Sequence, residues 1–429
     1  MRVCVAGLWH LGTVTAACLA AAGHRVAAHD PDSEVVANLL AAKPPIFEPG
    51  LKELVSAGLA SGELMPTGHL ADAVRGAEVV WVTYDTPVDD EDQVDSEQVL
   101  DRVREFLPLL DPGTVVLVSS QLPVGSIARL EAEAPGVSFA CSPENLRLGK
   151  AIEVFSNPDR VIVGVRDDHG RERIAQLLSP VTDRVEWMGV ESAEMAKHAI
   201  NSFLATSVTF INEIASVCER VGADAREVER ALKTEQRIGP RAYLGPGAAF
   251  AGGTLARDVR ALTAISDAEG LITPLLDGIW KSNDAHRSWP RRALVTLLSA
   301  ATDGLAGKTV AVWGLTYKPG TDTLRRSASV GLCRELVAGG AAVRVHDPAV
   351  TALPPDLAAV TLAGDALEAA TGADAVVLAT EWPEYLTLDP DAIVAALSGD
   401  LIVDANGFLA AALAADDRIR YATVGRYPR

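Results

Sequence analysis

Three features of the 429-residue chain predict an α/β protein. A short apolar strand, a glycine turn, a helix and a second strand ending in an acid run from Arg2 to Asp30. The same order is written again from Thr309 to Asp347. Between the two copies, Glu191 to Val221 is rich in strong helix formers and holds neither proline nor glycine. The pattern reads as two Rossmann-like doubly wound domains joined by a long central helix and a small helical middle domain. The expected boundaries are 1–190, 191–304 and 305–429.

In the first copy, Arg2 to Ala6 is predicted as a strand, Thr13 to Gly23 as a small-residue helix and Arg25 to His29 as the second strand. In the second copy, Thr309 to Trp313 is a strand, Val330 to Ala338 a helix and Ala342 to Val345 a strand that ends in HDP, as the first copy does. Gly7 and Asp30 lie 23 positions apart and Gly314 and Asp347 lie 33 apart, so the second copy carries the longer loop, LTYKPGTDTLRRS. The middle helix, at about 1.5 Å per residue, reaches roughly 45 Å and is expected to bridge the two lobes. Lys197 and Asn201 sit four apart on it and share one face.

Composition narrows the function classes. With 57 acidic against 38 basic residues the net charge is -19, and no basic stripe offsets it, which argues against nucleic acid. No stretch approaches the roughly 18 to 20 apolar residues of a membrane span. The N-terminal MRVCVAGLWHLG reads as a buried strand entering a glycine turn rather than a signal segment. Five scattered cysteines without CxxC spacing argue against a disulfide framework or a metal site, so a cytoplasmic protein is expected.

The turn GLWHLG, opening a helix and followed by Asp30, is a dinucleotide arrangement in which pyrophosphate rests on a helix N-terminus. Gly7, Trp9, His10, Leu11, Gly12 and Asp30 are the candidate cofactor residues. Gly7 and Gly12 hold the first and third glycine positions, and Trp9 stands at the second, where backbone normally approaches the phosphates. A carboxylate at Asp30 accepts from a ribose diol and repels a 2′-phosphate, which favours NAD over NADP.

GPGAAFAGGTLARD, Gly245 to Asp258, resembles the active-site loop of the UDP-glucose/GDP-mannose dehydrogenases, whose pattern is GPGxGFGGxCxxKD. The resemblance extends through EPGL at Glu48, DTP at Asp85, SSQLPVGS at Ser119, SPENLRLGKA at Ser142, SAEMAKHAINSF at Ser192, RIG at Arg237 and TEWPEY at Thr380. It implies NAD as cofactor, a nucleotide-sugar or related nucleotide substrate, oxidation of a primary alcohol and a homodimer. It further implies catalytic roles for Lys197, Asn201, Asp258 and Glu144. Thr86, Gln121 and Arg325 map onto cofactor contacts. Leu146, Arg147, Arg237, Tyr243, Gly247, Phe250, Gly252 and Lys318 map onto substrate contacts.

The departures cluster. The family's catalytic cysteine falls on Thr254, its second loop acid on Leu148, a threonine beside the nicotinamide on Gln121 and an arginine near the nucleotide on Asn406. The resemblance implies that first-step alcohol oxidation uses a base organised by Lys197 and Asp258, with the lysine charge stabilising the oxyanion. Sulfur enters only in the second step, where a thiolate attacks the aldehyde, and a threonine hydroxyl without a dedicated base is a poor substitute. The sequence therefore favours oxidation that stops at the aldehyde. A redox-neutral epimerase working through a transient aldehyde, a full four-electron dehydrogenase and a non-catalytic nucleotide-sugar binder stay open.

Overall fold

The computed structural model describes residues 1–86, 95–144, 146–251, 253–298, 305–325 and 327–427. The chain divides into two compact units, Met1–Ile200 and Asn201–Arg429. Each is built on its own sheet.

The first sheet contains β1 (Arg2–Ala6), β2 (Arg25–His29), β3 (Leu64–Thr67), β4 (Val79–Val82), β5 (Val115–Val118), β6 (Ser138–Cys141), β7 (Val161–Val165) and β8 (Val185–Met188). Their spatial order is β3-β2-β1-β4-β5-β6-β7-β8. Pairing is parallel except at β6 and β7. VVWV and VVLV are buried along their whole length, as strands covered on both faces must be. The order reverses between β1 and β4, and ligands of such sheets bind outside the carboxyl ends of the strands at that reversal.

The second sheet contains β9 (Thr309–Trp313), β10 (Ala342–His346), β11 (Thr361–Leu362), β12 (Ala375–Leu378), β13 (Leu401–Asp404) and β14 (Arg420–Ala422), in the order β11-β10-β9-β12-β13-β14. It is parallel throughout and reverses between β9 and β12. The repeat read in the sequence is therefore a repeat in space. Gly7 N–H donates to His29 O at 2.9 Å, and Gly314 N–H donates to His346 O at 2.8 Å. Both glycines have positive φ, +98° and +91°, and a Cβ at either would lie within 2.8 Å of the backbone of Tyr84 or Thr380. Only glycine fits there.

The first-lobe helix runs His10–Ala21, three residues earlier than predicted, because Trp9 serves as its N-cap position and the turn tightens straight into the helix. The second-lobe helix runs Ala328–Ala338, with Ser327 accepting from Ser329 N–H and Val330 N–H as its cap. The long helix spans Val190–Val221, 32 residues. Its Val190 and Ala193 are buried in a core of the first unit, and its Ala215 and Cys218 in a core of the second with Trp289, Val310 and Val403. Phe203, Phe210, Val217 and Val221 form an exposed apolar stripe on the same helix.

Candidate active site

In the first unit, the amides of the first turn of helix His10–Ala21 have no side-chain cap, which leaves them available to an anion. A Cβ on Gly12 would lie 1.6 Å from Gly7 O, so the turn and the helix touch only because this residue has no side chain. Asp30 closes the cradle by accepting from Leu8 N–H at 2.8 Å and Asp32 N–H at 3.0 Å. The groove beside it is lined by Pro31, Tyr84, Gln98, Val99 and Arg102. Trp9 has φ -75°, an ordinary value, and its half-exposed indole lines a separate hollow with Asp32, Val35, Asn38, Lys43 and Pro45. The tight turn, the uncapped helix end and the acid fit a dinucleotide. Leu11 sits half-buried in the first turn. Thr86 is buried and its hydroxyl donates to Gln121 O at 2.7 Å, so these two expected cofactor residues meet.

The loop Ser142–Lys150 leaves β6 and returns to the helix Ala151–Ser156. Lys197 Nζ donates to Glu144 O at 2.5 Å, and the Glu144 carboxylate accepts from Leu146 N–H. Burial pushes the Glu144 carboxyl above its ordinary value, against the pull of Lys197, the Leu146 N–H and His10. Leu146 packs against the core and Arg147 faces solvent.

In the second unit, Asn201 Nδ2 donates to Asp258 Oδ2, and Asp258 is 0% exposed. Thr254 is the first residue of the helix Thr254–Ala268, one turn before Asp258 on the same face, and is exposed. A helix N-terminus favours an anion and would ease ionisation of a thiol. None of the chain's cysteines can act in its place. All five are buried, and burial lifts the thiols of Cys4, Cys18 and Cys333 to about 12 and those of Cys141 and Cys218 upward as well.

The loop before Thr254 is held by four side chains that the sequence did not single out for this purpose. Gly247 N–H donates to Asn212 Oδ1 at 3.0 Å, and His286 Nε2 lies 2.9 Å from Gly247 O. Asn283 grips Phe250 at both backbone atoms, 3.0 and 2.9 Å. Asn406 Oδ1 accepts from Ala248 N–H at 2.7 Å, and its Nδ2 donates to Glu381 at 2.6 Å. Asn212 is eleven residues from Asn201, three helical turns along one face, and that spacing was the available signal. Phe250 stacks on Trp280 at 6.2 Å. Tyr243, Lys318 and Arg325 face solvent, and exposed Arg237 pairs with Glu235 at 3.0 Å. Gly252 lies outside the described residues.

Among the described residues no cluster of ligating side chains could hold a metal, and no helix is long and apolar enough to cross a membrane.

Three sequence models match the chain. They are the NAD binding domain of the UDP-glucose/GDP-mannose dehydrogenase family over residues 1–182, its central domain over 191–285 and its UDP binding domain over 311–411. UDP-glucose 6-dehydrogenase of Pseudomonas aeruginosa is 35% identical over 406 residues, 90% of this chain and 88% of that one. A UDP-glucose dehydrogenase from the archaeon Pyrobaculum islandicum superposes with a TM-score of 0.76 at 32% identity, covering 94% of this chain and 93% of its own. An NDP-N-acetyl-D-galactosaminuronic acid dehydrogenase from Methanosarcina mazei shares the fold, with a TM-score of 0.83 at 23% identity over 100% of this chain and 95% of its own. The chain belongs to the UDP-glucose/GDP-mannose dehydrogenase family and is an NAD-dependent oxidoreductase acting on CH–OH groups.

Proposed function

We propose that the chain oxidises the primary, C6-type alcohol of a nucleotide sugar or related nucleotide and stops at the aldehyde. NAD supplies the hydride acceptor. Lys197 and Asp258 organise the base that takes the hydroxyl proton, and the Lys197 ammonium stabilises the oxyanion as the C–H bond breaks. Asn201 keeps Asp258 in place by donating to its carboxylate. Leu146, Arg147, Tyr243, Gly247, Phe250 and Gly252 are assigned to the sugar side, Lys318 to the nucleotide side, and Arg237 to the substrate of a partner copy.

The observation that carries the reading is Thr254 at a helix N-terminus in a chain whose five thiols are all buried. A threonine hydroxyl there has no base in its loop, and Leu148 supplies no second carboxylate to guide a hydrolytic water. Glu144, held protonated more readily by its burial, is suited to proton transfer at the carbonyl rather than to anionic support. The stripe of Phe203, Phe210, Val217 and Val221 favours a homodimer through the long helix, since an apolar face of that length is costly in water.

The test counts reduced cofactor per substrate consumed, with NAD and a panel of nucleotide sugars. One equivalent supports the aldehyde, two equivalents with a released uronate overturn it, and none with an altered sugar indicates epimerisation. Thr254→Cys should switch on acid formation. An unchanged product would remove Thr254 from the account.

A further inference from the structure

The cofactor turn and the Ser142–Lys150 loop are separate stretches of the first unit, yet one buried carboxylate touches both. Glu48 Oε2 is 3.1 Å from His10 Nε2, the first residue of the cofactor helix, and its side chain is 1% exposed. The same carboxylate accepts from Gly149 N–H and Ala151 N–H, each at 2.8 Å. Those two amides close the loop that begins with Glu144 and its contact to Lys197. Burial alone would raise the Glu48 carboxyl, but the two N–H groups and His10 outweigh it and hold it below its ordinary value. It is therefore a carboxylate with three donors, and His10 must donate to it.

We propose that Glu48, through His10, is a positioning residue that passes occupancy of the cofactor turn to the substrate loop. The inference rests on the proposed role of that loop in holding substrate. A ligand that fixes the first turn of helix His10–Ala21 fixes the His10 ring. The ring fixes Glu48, and Glu48 fixes the amides of Gly149 and Ala151. Ordering the loop before substrate arrives lowers the entropy that substrate binding must overcome, which is positive coupling between the two ligands.

ADP-ribose tests this directly, because it carries the diphosphate and the adenosine ribose but no nicotinamide with which to reach the loop. Hydrogen exchange of residues 146–152 is measured with and without it, and its binding is read by titration calorimetry. In the wild type ADP-ribose should slow exchange of that segment about fivefold or more. In Glu48→Gln the slowing should fall below about twofold while ADP-ribose binds within about threefold of wild type, a margin well inside the tenfold that 1.4 kcal/mol represents. His10→Phe keeps both backbone partners of Glu48, and its loop response, read at saturating ADP-ribose whatever its affinity, should fall in the same way should Glu48→Gln fold poorly. A purely structural Glu48 would loosen the loop equally with and without ligand. A wild-type loop indifferent to bound ADP-ribose, or variants that keep the wild-type response, would overturn the coupling and leave the aldehyde reading standing. Failure of ADP-ribose to bind the wild type would remove the cofactor cradle and the coupling together.

Discussion

The two lobes share a strand, a glycine turn, a helix and an acid, but the acid is open in one and sealed in the other. Asp30 is half-buried and accepts from two backbone amides, with a groove beside it. Asp347 is 3% exposed. Its Oδ2 accepts from Leu315 N–H, Thr316 N–H, the Thr316 hydroxyl and the Trp382 indole at 2.7 to 3.0 Å, and its Oδ1 accepts from Ala349 N–H at 2.9 Å. The Trp382 indole thus donates to the acid of the second lobe from within the fold. One sequence pattern serves a ligand in the first lobe and the interior in the second.

The sharpest way to break this contrast is to remove a function-bearing side chain of the first unit and look for a loss of stability. Lys197→Ala should lower kcat by about 10³ or more while leaving Tm within a degree or two, because among the described residues the half-buried ammonium makes one hydrogen bond, to a loop carbonyl. Activity that survives would take Lys197 out of the chemistry.

Asp347→Ala should do the reverse. Removing the acceptor of the Leu315, Thr316 and Ala349 amides and of the Thr316 hydroxyl, and leaving the Trp382 indole its longer bond to Thr316 Oγ1 at 3.2 Å, costs about 3 kcal/mol or more, a large part of a domain's net stability, and calorimetry should show the second lobe melting early. Affinity for NAD should be untouched. The companion change, Asp30→Ala, should weaken NAD about tenfold with a stability loss of about 1 kcal/mol, since Asp30 is half-buried and accepts from two amides rather than five donors. Equal effects of the two substitutions on NAD binding would erase the distinction between open and sealed acids.

Acidification should separate the lobes by sign. The pKa of Asp347 is depressed: burial opposes ionisation, but the Leu315, Thr316 and Ala349 amides and the indole outweigh it. Its stabilisation is present above the ordinary aspartate value of about 3.9 and is lost as pH falls through the depressed one. Glu144 is raised, so the stability it contributes is complete below the ordinary glutamate value of about 4.3 and is lost as pH rises through the raised one. Glu144→Gln imitates the protonated form. Its Tm should therefore match wild type near pH 4 and exceed it at pH 8, and the opposite trend in a melting series would show that the carboxylate is welcome where it sits.

What was legible in the chain follows the same division. β1, β2 and β9 were readable to the residue from short apolar runs, and the long helix to within one residue, because local propensity and burial agree there. The sealing of Asp347 was not readable. HDP closes both copies, and the difference lies in Trp382, which is 35 residues downstream and meets the acid only in the fold. The grip of Asn283 on both backbone atoms of Phe250 was hidden for the same reason, as side-chain to backbone bonds across 33 residues leave no periodicity. In the sequence Asn406 stands where the family has an arginine. In the structure it also ties the active-site loop to Glu381.

The smallest effect should come from the residue that most disturbs the sequence pattern. Trp9 occupies a glycine position, yet its backbone has an ordinary φ of -75° and it lines a hollow with Val35, Asn38 and Pro45. The close approach that the fold requires is made by Gly12 against Gly7 O, and both glycines are present. Trp9→Gly should then shift the Kd of NAD by less than about threefold, and glycine at an N-cap costs helix stability only a few tenths of a kcal/mol. Titration calorimetry decides it. A gain of tenfold or more would mean that the indole obstructs the phosphates, and the first lobe would be a partly closed cradle, nearer to its sealed counterpart than the geometry of Asp30 indicates.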